Sequence, residues 1–247
     1  MNGEPIDNIR HEPVMVEEVL SFILERARHL VVDCTVGDGG HSWEILGSSS
    51  GTYVLGIDVD DEAVAVSDKR LISGFKGRFK VVKWDYRELP EALARFGVPR
   101  ISGALLDLGV SSRQIDKAER GFSYWAEAPL DMRMNPAGQR TARDILSESS
   151  EEELERIIRE YGEERFSRQI ARAIVKRRAA EPILTTENLV EVVINAVPPR
   201  ARRDKIHPAR RTFQALRIAV NDELSRLART LRRIFSLLEP GGILLVI

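Results

Sequence analysis

Short apolar runs alternate with amphipathic stretches through the first part of the chain. Leu30-Val31-Val32-Asp33-Cys34 reads as a buried strand, followed by the glycine-rich turn Thr35-Val36-Gly37-Asp38-Gly39-Gly40 and a helix starting near His41. Tyr53–Asp58 is a second predicted strand, Asp61–Leu71 a helix with Ala63, Val64 and Val66 as apolar positions, and Phe79–Val82 a third strand. Tyr86–Phe96 reads as a turn and helix closed by Gly97-Val98-Pro99, and Ile101–Leu106 as a fourth strand ending at Asp107. Strands that alternate with helices imply βαβ units and a parallel sheet with helices on both faces.

The alternation then stops. Residues 113–211 hold no convincing strand, and Glu151–Tyr161, Arg165–Arg178 and Thr186–Val197 are amphipathic helical patterns, the last with Thr185-Thr186 as an N-cap region and Pro198-Pro199 as a stop. One long helix is expected from Thr212 to Leu238, because Phe213, Leu216, Ala219, Val220, Leu224, Leu227, Leu231 and Ile234 recur at helical spacing. Glu239-Pro240-Gly241-Gly242 follows as a turn, and Ile243–Ile247 as a fifth strand in which the chain stops. The expected fold is α/β: a doubly wound, mostly parallel, Rossmann-like sheet over residues 1–112 and 212–247, interrupted by an all-helical insertion over 113–211.

The formal net charge of -1 implies no polyanion partner by itself, but its distribution does. Arg165–Arg233 carries 17 Lys and Arg against 6 Asp and Glu, leaving 20 against 32 for the rest of the chain. An acidic body with a basic C-terminal third suggests nucleic acid, with a merely solvated helical face as the plain alternative. The single cysteine, Cys34, excludes an intramolecular disulfide, and His11, His29, His41 and His207 are too scattered for zinc spacing, so no metal is expected. No run of the length a bilayer requires and no secretory leader stand in the sequence, which makes a cytoplasmic, non-membrane protein the default.

The glycine turn carries the most chemistry. Lacking side chains, Gly37, Gly39 and Gly40 let backbone approach a ligand at the carboxyl ends of the strands, where such sheets bind. The third glycine of the dinucleotide fingerprint and the Lys of a phosphate loop are both missing. Asp58, 19 residues after Gly39, can accept hydrogen bonds from both hydroxyls of a ribose. Asp33, Asp38, Asp58 and Asp107 crowd the strand ends, which disfavours a diphosphate and suits a cationic sulfonium with its amino group. S-adenosyl-L-methionine therefore fits better than a nicotinamide dinucleotide.

At this point six stretches become recognisable together. They are His11-Glu12-Pro13-Val14-Met15, Asp33–His41, Leu106–Ser112, Arg120-Gly121-Phe122-Ser123, Pro129–Met134 and Arg211–Ile218. In this order the chain resembles the bacterial ribosomal RNA small-subunit methyltransferase H family, also called MraW, within the class I methyltransferases. The resemblance runs from residue 11 to the end. It implies methyl transfer from S-adenosyl-L-methionine to the 4-amino group of a cytidine in the decoding region of small-subunit (16S) ribosomal RNA. The implied partner is that RNA or the assembled small subunit, with monomer and homodimer both open. It also implies cofactor contacts at Gly39, Gly40, His41, Asp58, Tyr86, Asp107 and Gln114. Family members continue past the fifth strand, so further strands are expected beyond Ile247.

For the chemistry, Asp107 is the candidate catalytic acceptor for the attacking amine, assisted by Ser111 and Ser112, unless this loop only shapes the pocket. Tyr124 and Trp125 are candidate stacking partners for a base drawn out of its stack, although aromatics are more often core. Arg200, Arg202, Arg203, Lys205, Arg210 and Arg211 form a candidate phosphate track, with a salt-bridged Arg203-Asp204-Lys205 loop as the alternative, and Arg217 is a candidate to face the sheet domain. Methyl transfer to DNA or a small molecule, nucleotide-dependent redox chemistry, and a non-catalytic RNA-binding protein with a relic pocket are the competing readings.

Overall fold

The structure is a computed structural model that describes residues 13–27, 29–203 and 205–247, apart from the Arg203 side chain. His11 and Glu12, and the Asp204 of the proposed loop, lie outside the described residues. The chain divides into two compact units, one of residues up to 109 together with 229–247, the other of residues 110–228. The boundaries fall at 110 and 228, against 113 and 211 in the sequence reading. The helix over 210–221 thus goes with the helical unit, because it packs along the helix over 151–162.

The first unit is built on five parallel strands, β1 (Leu30–Asp33), β2 (Tyr53–Asp58), β3 (Phe79–Lys83), β4 (Ile101–Leu106) and β5 (Leu238–Val246), in the order β3-β2-β1-β4-β5. Strand residues alternate between two apolar layers. Val31, Val54 and Leu105 face α1 (Val16–Arg26), α2 (Gly40–Ser48) and α3 (Asp61–Leu71) through Val19, Ile23, Ile45, Leu46 and Leu71. Val32, Leu55, Ile57, Ala104 and Leu106 meet Leu89 and Leu93 of α4 (Leu89–Arg95) and Ile234 of α11 (Leu227–Phe235). A sheet covered on both faces explains why its strands read as continuous apolar runs. Strand order reverses beside β1, and there the crossovers leave a crevice at the carboxyl ends. Helix α1 was not anticipated, although Val19, Leu20 and Ile23 have the spacing of a buried helical stripe.

The second unit is helical, comprising α5 (Ser112–Asp116), α6 (Ala142–Glu148), α7 (Glu151–Gly162), α8 (Ser167–Ala180), α9 (Thr186–Ala196) and α10 (Arg210–Asn221). Thr141 and Thr185 cap α6 and α9 through capping boxes with Asp144 and Asn188, as the sequence suggested for Thr185. Leu154, Ile157, Ile158, Ile170, Ile174, Leu189, Val193, Phe213 and Leu216 are buried in one core. The loop Pro129–Met134 is held by Asn221, whose Oδ1 accepts from the Met134 N–H at 2.7 Å and whose Nδ2 donates to the Met132 carbonyl at 2.8 Å. Within the same loop Arg133 grips Asp131 through two side-chain hydrogen bonds of 2.8 and 2.6 Å.

Two expectations are corrected. The single helix over 212–238 is two helices, α10 and α11. Asp222 takes a left-handed conformation (φ 50°) and ends α10, and Arg217 clasps the Glu223 just beyond it at 2.8 and 2.9 Å. Asp is among the residues that tolerate this conformation, and the apolar spacing on either side is compatible with a break. Arg217 is thereby spent inside the helical unit. Likewise β5 starts at Leu238 rather than Ile243, because Glu239-Pro240-Gly241-Gly242 is carried along the strand through a register irregularity opposite Ile101 and Gly103. Among the described residues no helix is long and apolar enough to cross a membrane.

Candidate active site

Three carboxylates gather at the carboxyl ends of adjacent strands: Asp33 on β1, Asp58 on β2 and Asp107 directly after β4. Asp33 is buried, accepts from Ser42 Oγ at 2.6 Å, and takes the Thr35 N–H at 3.3 Å. Burial pushes its pKa up; the Ser42 bond and the nearby His41 pull it back, and the Asp107 charge pushes it up again. Asp58 accepts the Gly37 N–H and the Asp60 N–H, each at 3.0 Å. Burial raises its pKa to about 6 in spite of those two bonds, with further upward pressure from Asp60 and Asp33. The Asp107 backbone N–H donates to Thr35 Oγ1 at 2.8 Å, which ties the end of β4 to the glycine turn.

The turn itself is shaped for close approach at one glycine and for packing at the others. Gly37 has φ +49° and its N–H orients Asp58; a Cβ there would meet only the Thr35 carbonyl oxygen, at 3.9 Å. Gly39, the N-cap of α2, has φ +79°, and a Cβ there would meet Leu71 Cδ1 at 2.6 Å. A Cβ on Gly40 would press on Pro13 at 3.2 Å. The two predicted contact glycines are therefore required by packing against α3 and the N-terminal segment. His41 is also buried, and its Nε2 is 2.8 Å from the Val14 carbonyl, so it anchors that segment across the start of α2. Arg70 holds the turn from outside by donating to the Asp38 carbonyl at 3.0 Å.

Tyr86 opens a 3-10 turn after β3 and is half-buried. Asp85 caps that turn and chelates Arg87 Nε at 2.9 and 2.8 Å. Gln114 belongs to the other unit, in α5, where its Oε1 accepts the Ser111 N–H at 3.1 Å in a reciprocal capping box. Ser111 is thereby a helix cap. Of the basic candidates, Arg200, Lys205 and Arg210 are exposed. Arg202 donates to the Val197 and Asn195 carbonyls at the end of α9, and Arg211 donates to the Glu163 carbonyl at 2.9 Å. Both guanidiniums thus close helix ends as well as carrying charge. The Arg203 side chain lies outside the described residues. Sequence reasoning missed Ser42 and Arg70, and named Gly37 without its hold on Asp58; these roles show only once the turn is folded against β2 and α3.

The donor chemistry of the cleft fits S-adenosyl-L-methionine. Carboxylates on three neighbouring strand ends repel a phosphate and attract a sulfonium and an ammonium. Asp58, held by two backbone N–H groups, keeps acceptor capacity for ribose hydroxyls.

Comparison with known proteins agrees with this geometry. Residues 8–247 match the MraW methylase family. The ribosomal RNA small subunit methyltransferase H of Persephonella marina is 45% identical over 97% of this chain and 81% of its own length. The proteins of that name from Heliobacterium modesticaldum and Geobacter sulfurreducens are 48% and 49% identical, over 96% and 94% of this chain and 76% and 75% of theirs. A match over almost every residue, including each strand end that carries a carboxylate, means that the chain belongs to the MraW methylase family.

Proposed function

We propose that this protein is an S-adenosyl-L-methionine-dependent methyltransferase that modifies the 4-amino group of a cytidine in small-subunit ribosomal RNA. The observation that carries the reading is the trio Asp33, Asp58 and Asp107 around the glycine turn, in a chain whose relatives are named ribosomal RNA small subunit methyltransferase H. When bound, S-adenosyl-L-methionine supplies a methyl group on a sulfonium, so no metal or redox partner is invoked. Asp58 would hold the ribose hydroxyls, with Gly37 keeping its carboxylate aimed. Asp33, fixed by Ser42, adds negative charge on the side of the ligand's cationic part. Gly39, Gly40, His41, Tyr86 and Gln114 complete the proposed cofactor set, the first three by shaping the turn.

The cytosine amino group is a poor nucleophile because its lone pair is delocalised into the ring. Asp107 is assigned as the acceptor that would hydrogen-bond this amine, localise its lone pair and take the proton the nitrogen sheds as the N–C bond forms and the S–C bond breaks, with S-adenosylhomocysteine as the leaving group. The remaining work is positioning the amine in line with the methyl group. Arg200, Arg202, Arg203, Lys205, Arg210 and Arg211 are assigned to backbone phosphates, and the helical unit to substrate recognition. The deciding experiment is incubation with methyl-labelled cofactor and either naked small-subunit RNA or assembled small subunits, followed by nucleoside analysis. Label in N4-methylcytidine is expected. Intact cofactor binding with no label in RNA from either substrate would reject the reading.

A further inference from the structure

Within the helical unit one aromatic group has no structural duty on its outer face. Trp125 is 76% exposed, the most exposed large apolar side chain among the described residues. Its loop is nevertheless pinned. Gly121 has φ +73°, and a Cβ there would stand 2.3 Å from the Pro129 carbonyl oxygen, so the loop's two ends are in contact. The Thr186 hydroxyl donates to the Ala126 carbonyl at 2.6 Å, the Thr186 N–H donates to the Ala128 carbonyl at 2.9 Å, and the Leu130 N–H donates to the Leu184 carbonyl at 3.2 Å. The Trp125 N–H donates to Ser123 Oγ at 3.2 Å.

Beneath the indole lies an aromatic stack. His207 meets the Trp125 ring edge-on at 4.9 Å and lies face to face on Tyr124 at 4.8 Å and 15°. Tyr124 in turn meets Phe213 edge-on at 5.7 Å. Tyr124, half-buried with His207 stacked on it, is the base of the stack, and of the two sequence candidates Trp125 is the more exposed. His207 Nδ1 accepts the Ala209 N–H at 3.2 Å, which leaves the ring proton on Nε2, and burial holds its pKa below the usual histidine value. The imidazole backing the indole is therefore neutral at neutral pH. The chain on either side of His207 carries the exposed cations Arg200, Lys205 and Arg210.

We infer that Trp125, buttressed by His207 and Tyr124, is a stacking platform for an unpaired nucleobase, with the cations of the 200–211 segment on the flanking phosphates. An indole held rigid before binding loses little freedom when a base lands on it, and any base offers a π-face. Positive charge beside an apolar plate matches a single strand, which alternates phosphate and base, better than it matches a protein surface. This inference rests on the RNA-substrate reading above but names a different contact and is measured separately.

The test uses the full chain saturated with S-adenosylhomocysteine and two fluorescent probes, single-stranded oligouridine and an abasic oligomer of the same length. Wild type should bind the base-bearing probe about tenfold more tightly than the abasic one. Trp125→Ala should bring both to the abasic level with the salt slope unchanged, and Trp125→Phe should keep most of the preference. Arg200→Ala with Lys205→Ala and Arg210→Ala should weaken both probes alike and flatten the slope. Full base preference in Trp125→Ala, or equal binding of the two probes by wild type as a protein-docking surface would give, overturns the platform. Methyl transfer is followed in parallel. A wild type that transfers nothing to RNA yet shows Trp125-dependent base preference removes the activity and supports the platform.

Discussion

Lowering the pH from 7 to 5 should weaken cofactor binding about tenfold in wild type and leave Asp58→Asn almost unaffected. The reasoning starts from the Asp58 carboxyl, which burial raises to about 6 although it accepts two backbone N–H groups. With that pKa about ten-elevenths of the molecules are ionised at pH 7 and about one-eleventh at pH 5. Ribose hydroxyls donate well to a carboxylate and poorly to a carboxylic acid, so affinity should follow the ionised fraction. At pH 8 Asp58→Asn should lose about 2–3 kcal/mol, roughly thirty- to a hundred-and-fiftyfold, because a charged acceptor is gone and an amide must face backbone donors. The unliganded protein should show the opposite slope. A carboxyl whose folded pKa lies above its unfolded value stabilises the fold fully below about pH 4, and that contribution is lost as pH rises through about 6. For Asp58 the loss is about 3 kcal/mol. The assays are isothermal titration of S-adenosyl-L-methionine and thermal unfolding without ligand, both across pH 5–8, on the two proteins. Asp33 also carries a raised pKa, through burial first, so the comparison with the variant is what isolates Asp58. An equal pH slope of binding in wild type and Asp58→Asn would refute the assignment of Asp58.

The helical unit yields two structural predictions. Gly162→Ala should destabilise it by about 1–3 kcal/mol, because the new Cβ would stand 2.5 Å from the Arg211 carbonyl oxygen and 3.2 Å from Ala215 Cβ, forcing α7 and α10 apart; an unchanged melting temperature would contradict that packing. Asn221→Ala should cost about 2 kcal/mol by abandoning the Met132 carbonyl and the Met134 N–H, read as faster amide exchange in the Pro129–Met134 loop, and native exchange rates there would argue against the clasp.

What the sequence by itself determined is the part set by local periodicity and local chemistry. Apolar runs ending in Asp33, Asp58 and Asp107 are enough to place three strand ends, because a parallel sheet buried on both faces needs near-continuous apolar strands. The helix over Asp61–Leu71 and the Thr185 cap were legible for the same reason, since helical period and capping are settled within a few residues. The break at Asp222 was not legible, because an apolar stripe survives a left-handed residue and a reset of direction. Neither was the division of labour in the glycine turn. Only tertiary contact with Leu71 and Pro13 decides that Gly39 and Gly40 are needed for packing, while Gly37 aims Asp58. His41 was legible as a polar group at the turn, but only the fold shows that it also latches the Val14 carbonyl; Tyr124 and Trp125 were legible as a pair of aromatics, but only the fold shows His207 stacked on Tyr124 while Trp125 stays exposed. A residue's type bounds the chemistry it can perform; which of its faces and lone pairs remain available depends on neighbours that are distant in sequence.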